Sequence, residues 1–335
     1  MSLSLADVFT ARDRIAGTAT RTPLIPSPYM TRIAGADFLL KLEMTQPIGA
    51  FKLRGAINAV HNLAPGTRGV TCCSTGNHGR GIAYAAEARG LRAIICMSNL
   101  VPQTKIDGIK ALGAEVRIVG ANQDDALVES QRLVSEEGLT EIPPFDDPHV
   151  IAGQGTIGLE LFEDRPDIDT VLVPLSGGGL AGGVALAAKS IKPDVKVIGI
   201  SMDRGAAMHE SLLAGHPVEV EELPSLADSL GGGIGLDNKL SFRLCQDFLD
   251  DVVLVTEEEI YRAMQALFYE DRIVAEGGSV VGIAAMQAGK LAKPSGPIAT
   301  IITGRNLDMG VFERVITGKD LKLGDVTIRG DVYGA

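Results

Sequence analysis

Seven short runs of apolar, mostly β-branched residues alternate with helical patterns along most of the chain. They cover residues 69–73, 92–97, 114–120, 170–175, 195–200, 251–255 and 298–303. Each run is continuously apolar, which is typical of parallel strands that are covered by helices on both faces of a sheet. The pattern therefore predicts an α/β protein.

A polar, proline-bearing stretch at residues 141–149 (EIPPFDDPH) separates two groups of these runs. We therefore expect a small sheet inserted before a larger one, with a cleft between them. The predicted large domain comprises residues 1–68 and 147–335, and the predicted small domain comprises residues 69–146. Ligands of open parallel sheets bind at the loops that follow the strands, so the candidate chemistry is expected there.

The composition narrows the range of partners. The 335 residues carry 31 basic and 42 acidic side chains, a net charge of -11, without a run of Lys and Arg. Binding to nucleic acid or to an anionic membrane is therefore not expected. The first 30 residues mix charges with short apolar stretches, unlike a signal peptide or a membrane span, so we expect a cytoplasmic protein.

A lysine stands at the start of a predicted helix, in the sequence GAFKLRG at residues 49–55. Apolar residues recur at helical spacing after it, which places Lys52 in the first helical turn. The positive end of the helix dipole opposes a second positive charge there and favours deprotonation of the amine. Lys52 is either a nucleophile or base, or an ordinary surface lysine.

Three loops follow predicted strands and carry polar groups or glycines. Residues 74–78 (STGNH) lead into a helix and are suited to bind a carboxylate, or they simply cap that helix. Residues 176–180 (SGGGL) could wrap backbone amides around a phosphate, or form a tight turn without a ligand. The hydroxyl of Thr303, at the end of the last run, could contact a ring nitrogen or cap the following turn.

In this order, the motifs KLE, GAFKLRGA, STGNH, AGQGT, SGGGL and TGRN resemble the β-family (fold type II) of pyridoxal-phosphate enzymes. Within that family the chain is most similar to the serine/threonine dehydratases and the serine racemases. The resemblance covers about residues 5–315, and the motifs together are highly specific. It implies a tryptophan-synthase-β-like fold, an α/β architecture with two open parallel-sheet domains.

The resemblance also implies the cofactor, pyridoxal 5'-phosphate, and its binding residues. The cofactor would be bound covalently to Lys52, the catalytic base, with its phosphate in the glycine loop. Its 3-hydroxyl would lie near Asn77 and its pyridine nitrogen against Thr303. The implied cofactor-binding residues are Phe51, Lys52, Asn77, Ser176, Gly177, Gly178, Gly179, Leu180 and Thr303. The implied residues for the substrate carboxylate are Ser74, Thr75, Asn77 and His78. The AGQGT segment at residues 152–156 would line the same cleft.

The implied activity is β-elimination of a β-hydroxy amino acid such as L-threonine or L-serine, giving a 2-keto acid and ammonia. Racemases of this family use a serine where this chain has Thr75, whose added methyl group stiffens the side chain. Dehydration is therefore favoured over racemisation. Arg305 departs from the common pattern. It could recognise a second polar group of a specialised substrate, such as 3-hydroxyaspartate or an intermediate of hydroxyectoine breakdown, or pair with a surface carboxylate.

Three further expectations concern metal, assembly and other classes of protein. Ser201 and Ala207 stand where the family pattern supplies two acidic ligands, so no metal is expected. A homodimer is the family expectation.

A scaffold that no longer binds cofactor is not favoured, because Lys52 and the glycine loop are both intact. A nicotinamide oxidoreductase is not favoured, because the GxGxxG turn is missing.

Overall fold

The computed structural model describes residues 3–74, 76–99, 101, 103–121 and 123–334, with the backbone alone at residues 104, 123 and 124. Its strands are β1 (Leu24–Pro26), β2 (Phe38–Lys41), β3 (Val70–Cys73), β4 (Ala93–Met97), β5 (Glu115–Ile118), β6 (Thr140–Glu141), β7 (Thr170–Pro174), β8 (Lys196–Met202), β9 (Asp251–Val255), β10 (Ile298–Ile301), β11 (Leu321–Leu323) and β12 (Val326–Ile328). Its helices are α1 (Leu5–Ile15), α2 (Pro28–Ala34), α3 (Lys52–His61), α4 (Asn77–Arg89), α5 (Gln103–Lys110), α6 (Gln123–Glu137), α7 (Pro148–Asp164), α8 (Gly179–Ile191), α9 (Ala207–Ala214), α10 (Leu240–Phe248), α11 (Glu257–Asp271), α12 (Val281–Gln287) and α13 (Met309–Ile316).

All seven predicted strands are confirmed, and they divide between two sheets as expected. The large sheet has the order β1-β2-β10-β7-β8-β9, and all of its pairs are parallel except β1 with β2. The small sheet has the order β5-β4-β3-β6 and is parallel throughout. The small sheet lies within residues 69–146, while the domain boundaries themselves stay a prediction.

Helix α3 packs against the small sheet as well as the large domain. Its residues Leu53, Ile57 and Val60 share one buried cluster with Ile82 of α4 and Ile95 of β4. Helix α3 also lies against α7. The helix that begins at Lys52 therefore connects the two predicted domains.

The AGQGT segment lies inside α7 and does not line the cavity described below, so its expected place in the cleft is wrong. Its glycines allow helices to approach closely instead. A β-carbon built on Gly153 would lie 2.6 Å from Gly55 Cα, and one built on Gly155 would lie 2.9 Å from Gly183 O. Since these distances exclude any side chain, the segment sets how α3 and α8 pack on α7.

In the described part of the chain, no helix combines the length and apolar character that crossing a membrane requires.

Candidate functional site

A cavity of about 550 Å³ lies where the loops after β3, β7 and β10 meet. The predicted site residues that line it are Phe51, Lys52, Ser74, Asn77, His78, Ser176, Gly177, Gly178, Gly179, Leu180 and Thr303. Thr75 lies outside the described residues. The volume of the cavity is in the range of protein sites for small molecules and cofactors.

The Lys52 amine lies in this cavity at the start of α3, as the helical pattern predicts. Its Nζ donates a hydrogen bond of 2.7 Å to Pro144 O and lies 5.4 Å from the centre of the Phe51 ring. Burial lowers the pKa of Lys52 to about 8. The shift has the predicted direction, and its cause is desolvation of the ammonium group.

A buried ionic cluster anchors α3 two residues beyond Lys52. The Arg54 guanidinium donates to both oxygens of Glu43, at 2.8 Å each, and to both oxygens of Glu160, at 2.6 and 2.9 Å. Lys41 Nζ completes the cluster through Glu160 and Thr22 O. Two cations therefore neutralise two carboxylates inside the protein, and this arrangement fixes the start of α3 against β2 and α7.

The glycine loop joins β7 to α8, so the first amides of that helix point toward the cavity. A β-carbon on Gly177 would lie 2.2 Å from the Phe145 ring. Gly178 has a φ of 83°, a left-handed backbone conformation that favours glycine, and its β-carbon would lie 2.6 Å from Met208 Cε. The loop is a compact backbone cradle at a helix N-terminus, which suits a phosphate.

Asn77 is held between two residues of the large domain. Its Nδ2 donates to the Glu276 carboxylate at 3.1 and 3.3 Å, and its Oδ1 accepts a hydrogen bond of 2.7 Å from Asn306 Nδ2. Glu276 is buried and lines the cavity, and burial raises its pKa to about 7. The orientation of the Asn77 amide is therefore fixed by contacts across the cleft.

The ring of His78 contacts the backbone and does not suit the expected role of binding the substrate carboxylate. Its Nε2 lies 2.8 Å from Ile142 O, and burial, assisted by the charge of Lys52, lowers its pKa to about 3. The ring is therefore neutral, and its proton lies on Nε2 because a carbonyl oxygen only accepts. The ring keeps no second donor, so a substrate carboxylate would have to be bound by other groups of this loop.

Thr303 lies just beyond the carboxyl end of β10 and lines the cavity. Its Oγ1 is 2.9 Å from Ser279 Oγ, which also bonds to the backbone of Gly304. The polar partner that this loop offers is therefore a neutral pair of hydroxyl groups rather than a carboxylate.

Arg305 is exposed and is absent from the described cavity lining. Its backbone N–H donates to Gly49 O at 3.0 Å. In the segment after β8, Arg204 pairs with Asp325 at 2.6 Å rather than with the adjacent Asp203. Among the described residues, no group of three or more His, Cys, Asp or Glu side chains is suited to hold a metal ion.

Several cavity residues are missing from the sequence-based set, notably Pro144, Phe145, Glu276 and Asn306. Pro144 and Phe145 belong to the proline-bearing stretch between the two sheets. That stretch indicated a domain boundary but not a binding site. Glu276 follows a helix, so a search of the loops after strands does not reach it.

Comparison with known proteins agrees with this geometry. The family model described as "Pyridoxal-phosphate dependent enzyme" matches residues 15–304. A putative threonine dehydratase of Sinorhizobium fredii is 54% identical over 319 residues, which are 95% of this chain and 96% of that protein. The L-threonine ammonia-lyase of Thermotoga maritima is 39% identical, over 96% of this chain and 80% of that protein. The structure of maize serine racemase superposes with a TM-score of 0.89 at 32% identity, covering 94% of this chain and 97% of that one. The chain belongs to the family of pyridoxal-phosphate-dependent enzymes.

Proposed function

We propose that the protein eliminates water from a β-hydroxy amino acid such as L-threonine or L-serine, and that hydrolysis of the unsaturated product then gives a 2-keto acid and ammonia. The observation that carries this proposal is the Lys52 amine, which lies in the same cavity as the glycine loop and has a pKa lowered to about 8 by burial. The names of the relatives from Sinorhizobium fredii and Thermotoga maritima support the same reaction class.

The residues present suit pyridoxal phosphate. In this proposal the glycine loop at 176–180 holds the phosphate, because the loop lines the cavity at the start of α8 and residues 177–179 carry no side chain. Lys52 supplies the amine for covalent attachment, and Phe51 packs beside it. Asn77, oriented by Glu276, would contact the 3-hydroxyl, and Thr303 would contact the ring nitrogen.

When bound, pyridoxal phosphate withdraws electrons from the substrate Cα, which makes loss of the Cα proton feasible. Lys52 Nζ takes that proton as a general base, since burial keeps a useful fraction of the amine unprotonated near neutral pH. The N–H groups of the loop that contains Ser74 and Asn77 hold the substrate carboxylate. The β-hydroxyl then leaves as water, and hydrolysis of the unsaturated product releases ammonia.

Incubation of the purified holoenzyme with L-threonine or L-serine tests this proposal. We expect 2-keto acid and ammonia in equal amounts, and neither product from the Lys52→Ala variant. Chiral analysis of the remaining serine separates dehydration from racemisation. Accumulation of D-serine without keto acid would contradict the proposal, as would keto acid release by the lysine variant.

The finer assignments rest on the family resemblance. We include in the proposal a cytoplasmic homodimer, with the large domain at residues 1–68 and 147–335 and the small domain at residues 69–146. We also propose that the protein belongs to the subgroup of hydroxyectoine-utilisation dehydratases. Identification of its preferred substrate tests this assignment.

A further inference from the structure

Arg80 is an unusual residue in the cavity wall. It lies on α4, one turn beyond Asn77, and lines the cavity. Its Nε is buried and has no hydrogen-bond partner among the residues that the structure describes. Burial lowers the pKa of the guanidinium, and no carboxylate contributes to offset that cost. A half-buried cation of this kind favours an anionic ligand.

The guanidinium is positioned by α5. A β-carbon built on Gly108 would lie only 2.6 Å from Arg80 Nη1, so the end of the arginine rests against the backbone of that helix. Lys105, one turn earlier on α5, also lines the cavity. The small domain therefore presents two cations to the cavity in addition to the Lys52 amine.

The acidic residues of the cavity already interact with other groups. Burial raises the pKa of Asp228, and the positive charge of Lys105 opposes that rise. Glu276 accepts hydrogen bonds from Asn77. Within the described part of the chain, Arg80 is left without an ion pair or side-chain hydrogen bond.

We propose that Arg80 binds a second negative charge on the substrate, so that the preferred substrate is an anionic β-hydroxy amino acid such as 3-hydroxyaspartate. This inference rests on the proposed function. Loss of the Cα proton and the β-hydroxyl as water, followed by addition of water and release of ammonia, converts 3-hydroxyaspartate into oxaloacetate. Arg80 replaces Arg305 in the specificity role, since Arg305 is exposed and outside the described lining.

The test compares two ligands that differ mainly in charge and have no β-hydroxyl to lose. L-aspartate and L-asparagine are titrated into the holoenzyme, and their dissociation constants are read from the absorbance of the bound cofactor. We expect L-aspartate to bind about 10- to 150-fold more tightly, the range of a charge-assisted hydrogen bond. The preference should vanish in Arg80→Gln and return in part in Arg80→Lys.

Two further variants sharpen the result. Gly108→Ala keeps the charge but displaces the guanidinium, and should reduce the preference. Lys110→Gln removes an exposed cation of the same helix that is absent from the cavity lining, and should leave the preference unchanged.

Equal binding of the two ligands by the wild type would overturn the inference, as would equal weakening of both in Arg80→Gln. A loss of cofactor affinity with an unchanged preference would place Arg80 at the cofactor instead and also overturn it. The proposed function is judged separately, by keto acid release from L-threonine, so a failure of the charge preference and a failure of the proposed function give different results.

Discussion

Replacing Arg54 by methionine should destabilise the protein strongly, although the residue lies outside the described cavity lining. Methionine keeps most of the side-chain volume and removes the charge. Arg54 and Glu43 are 1% and 0% exposed, and the guanidinium bonds to both Glu43 and Glu160. The substitution would leave two buried carboxylates with Lys41 as their nearest cation.

The magnitude follows from burial. Breaking a buried ion pair by removing one partner costs about 3–5 kcal/mol, because the remaining charge is left uncompensated. A matched surface variant is Arg92→Met, which removes an ion pair with Glu115. The Arg92 side chain is 40% exposed and the Glu115 side chain is 53% exposed. That change should cost less than about 1 kcal/mol.

Guanidinium denaturation of both variants at several pH values provides the assay. Burial alone would raise the pKa of Glu160, but the hydrogen bonds and charges of Arg54 and Lys41 hold it below its ordinary value of 4.5. A carboxylate whose pKa is lower in the folded state stabilises the fold above its unfolded pKa and loses that contribution as pH falls. The difference in free energy of unfolding between wild type and Arg54→Met should therefore be largest at pH 7 and decrease below pH 4.5.

Two results would refute this reasoning. One is an Arg54→Met variant no less stable than Arg92→Met. The other is a stability difference that stays constant from neutral to acidic pH, which would mean that lost packing rather than uncompensated charge causes the effect.

Three other predictions concern the site. Because burial raises the pKa of Glu276 to about 7, the wild type should lose about 3 kcal/mol of stability relative to Glu276→Gln as pH rises from 4.5 to 7, and denaturation curves with parallel pH dependence would contradict this. Gly178→Ala should add about 1–3 kcal/mol of strain and weaken cofactor binding by absorbance titration, whereas Gly66→Ala, at a similar φ in open space, should leave that binding unchanged. Dialysis against EDTA should leave activity unchanged, given Ser201 and Ala207, and a loss that Mg²⁺ restores would disprove this.

Local pattern predicted most of the fold. The seven runs form strands because apolar, mostly β-branched residues dominate them, and α3 begins at Lys52 where the helical spacing begins. The short strands β1, β6, β11 and β12 were not predicted because two or three residues carry too little pattern. The two-sheet arrangement followed from the proline-bearing stretch between the groups of runs.

The site was predicted less completely, because its contacts join residues far apart in the chain. Asn77 and Glu276 are separated by 199 positions and meet only when the two sheets face each other. The sequence does not show which arginines are buried: Arg54 is buried and Arg80 half-buried, while Arg305 is exposed. Which cations face the cavity depends on helix packing that no local pattern records.

The proposed function depends on covalent attachment of the cofactor to the Lys52 amine. Borohydride reduction of the holoenzyme, which absorbs at about 410 nm when the cofactor is bound to a lysine amine, fixes the cofactor to that lysine. Mass spectrometry of the digested protein then locates it. We expect the added mass on the peptide that contains Lys52 and its absence from the digest of Lys52→Ala. Modification of a different lysine, or a wild-type Lys52 peptide without the cofactor, would show that Lys52 does not bind it.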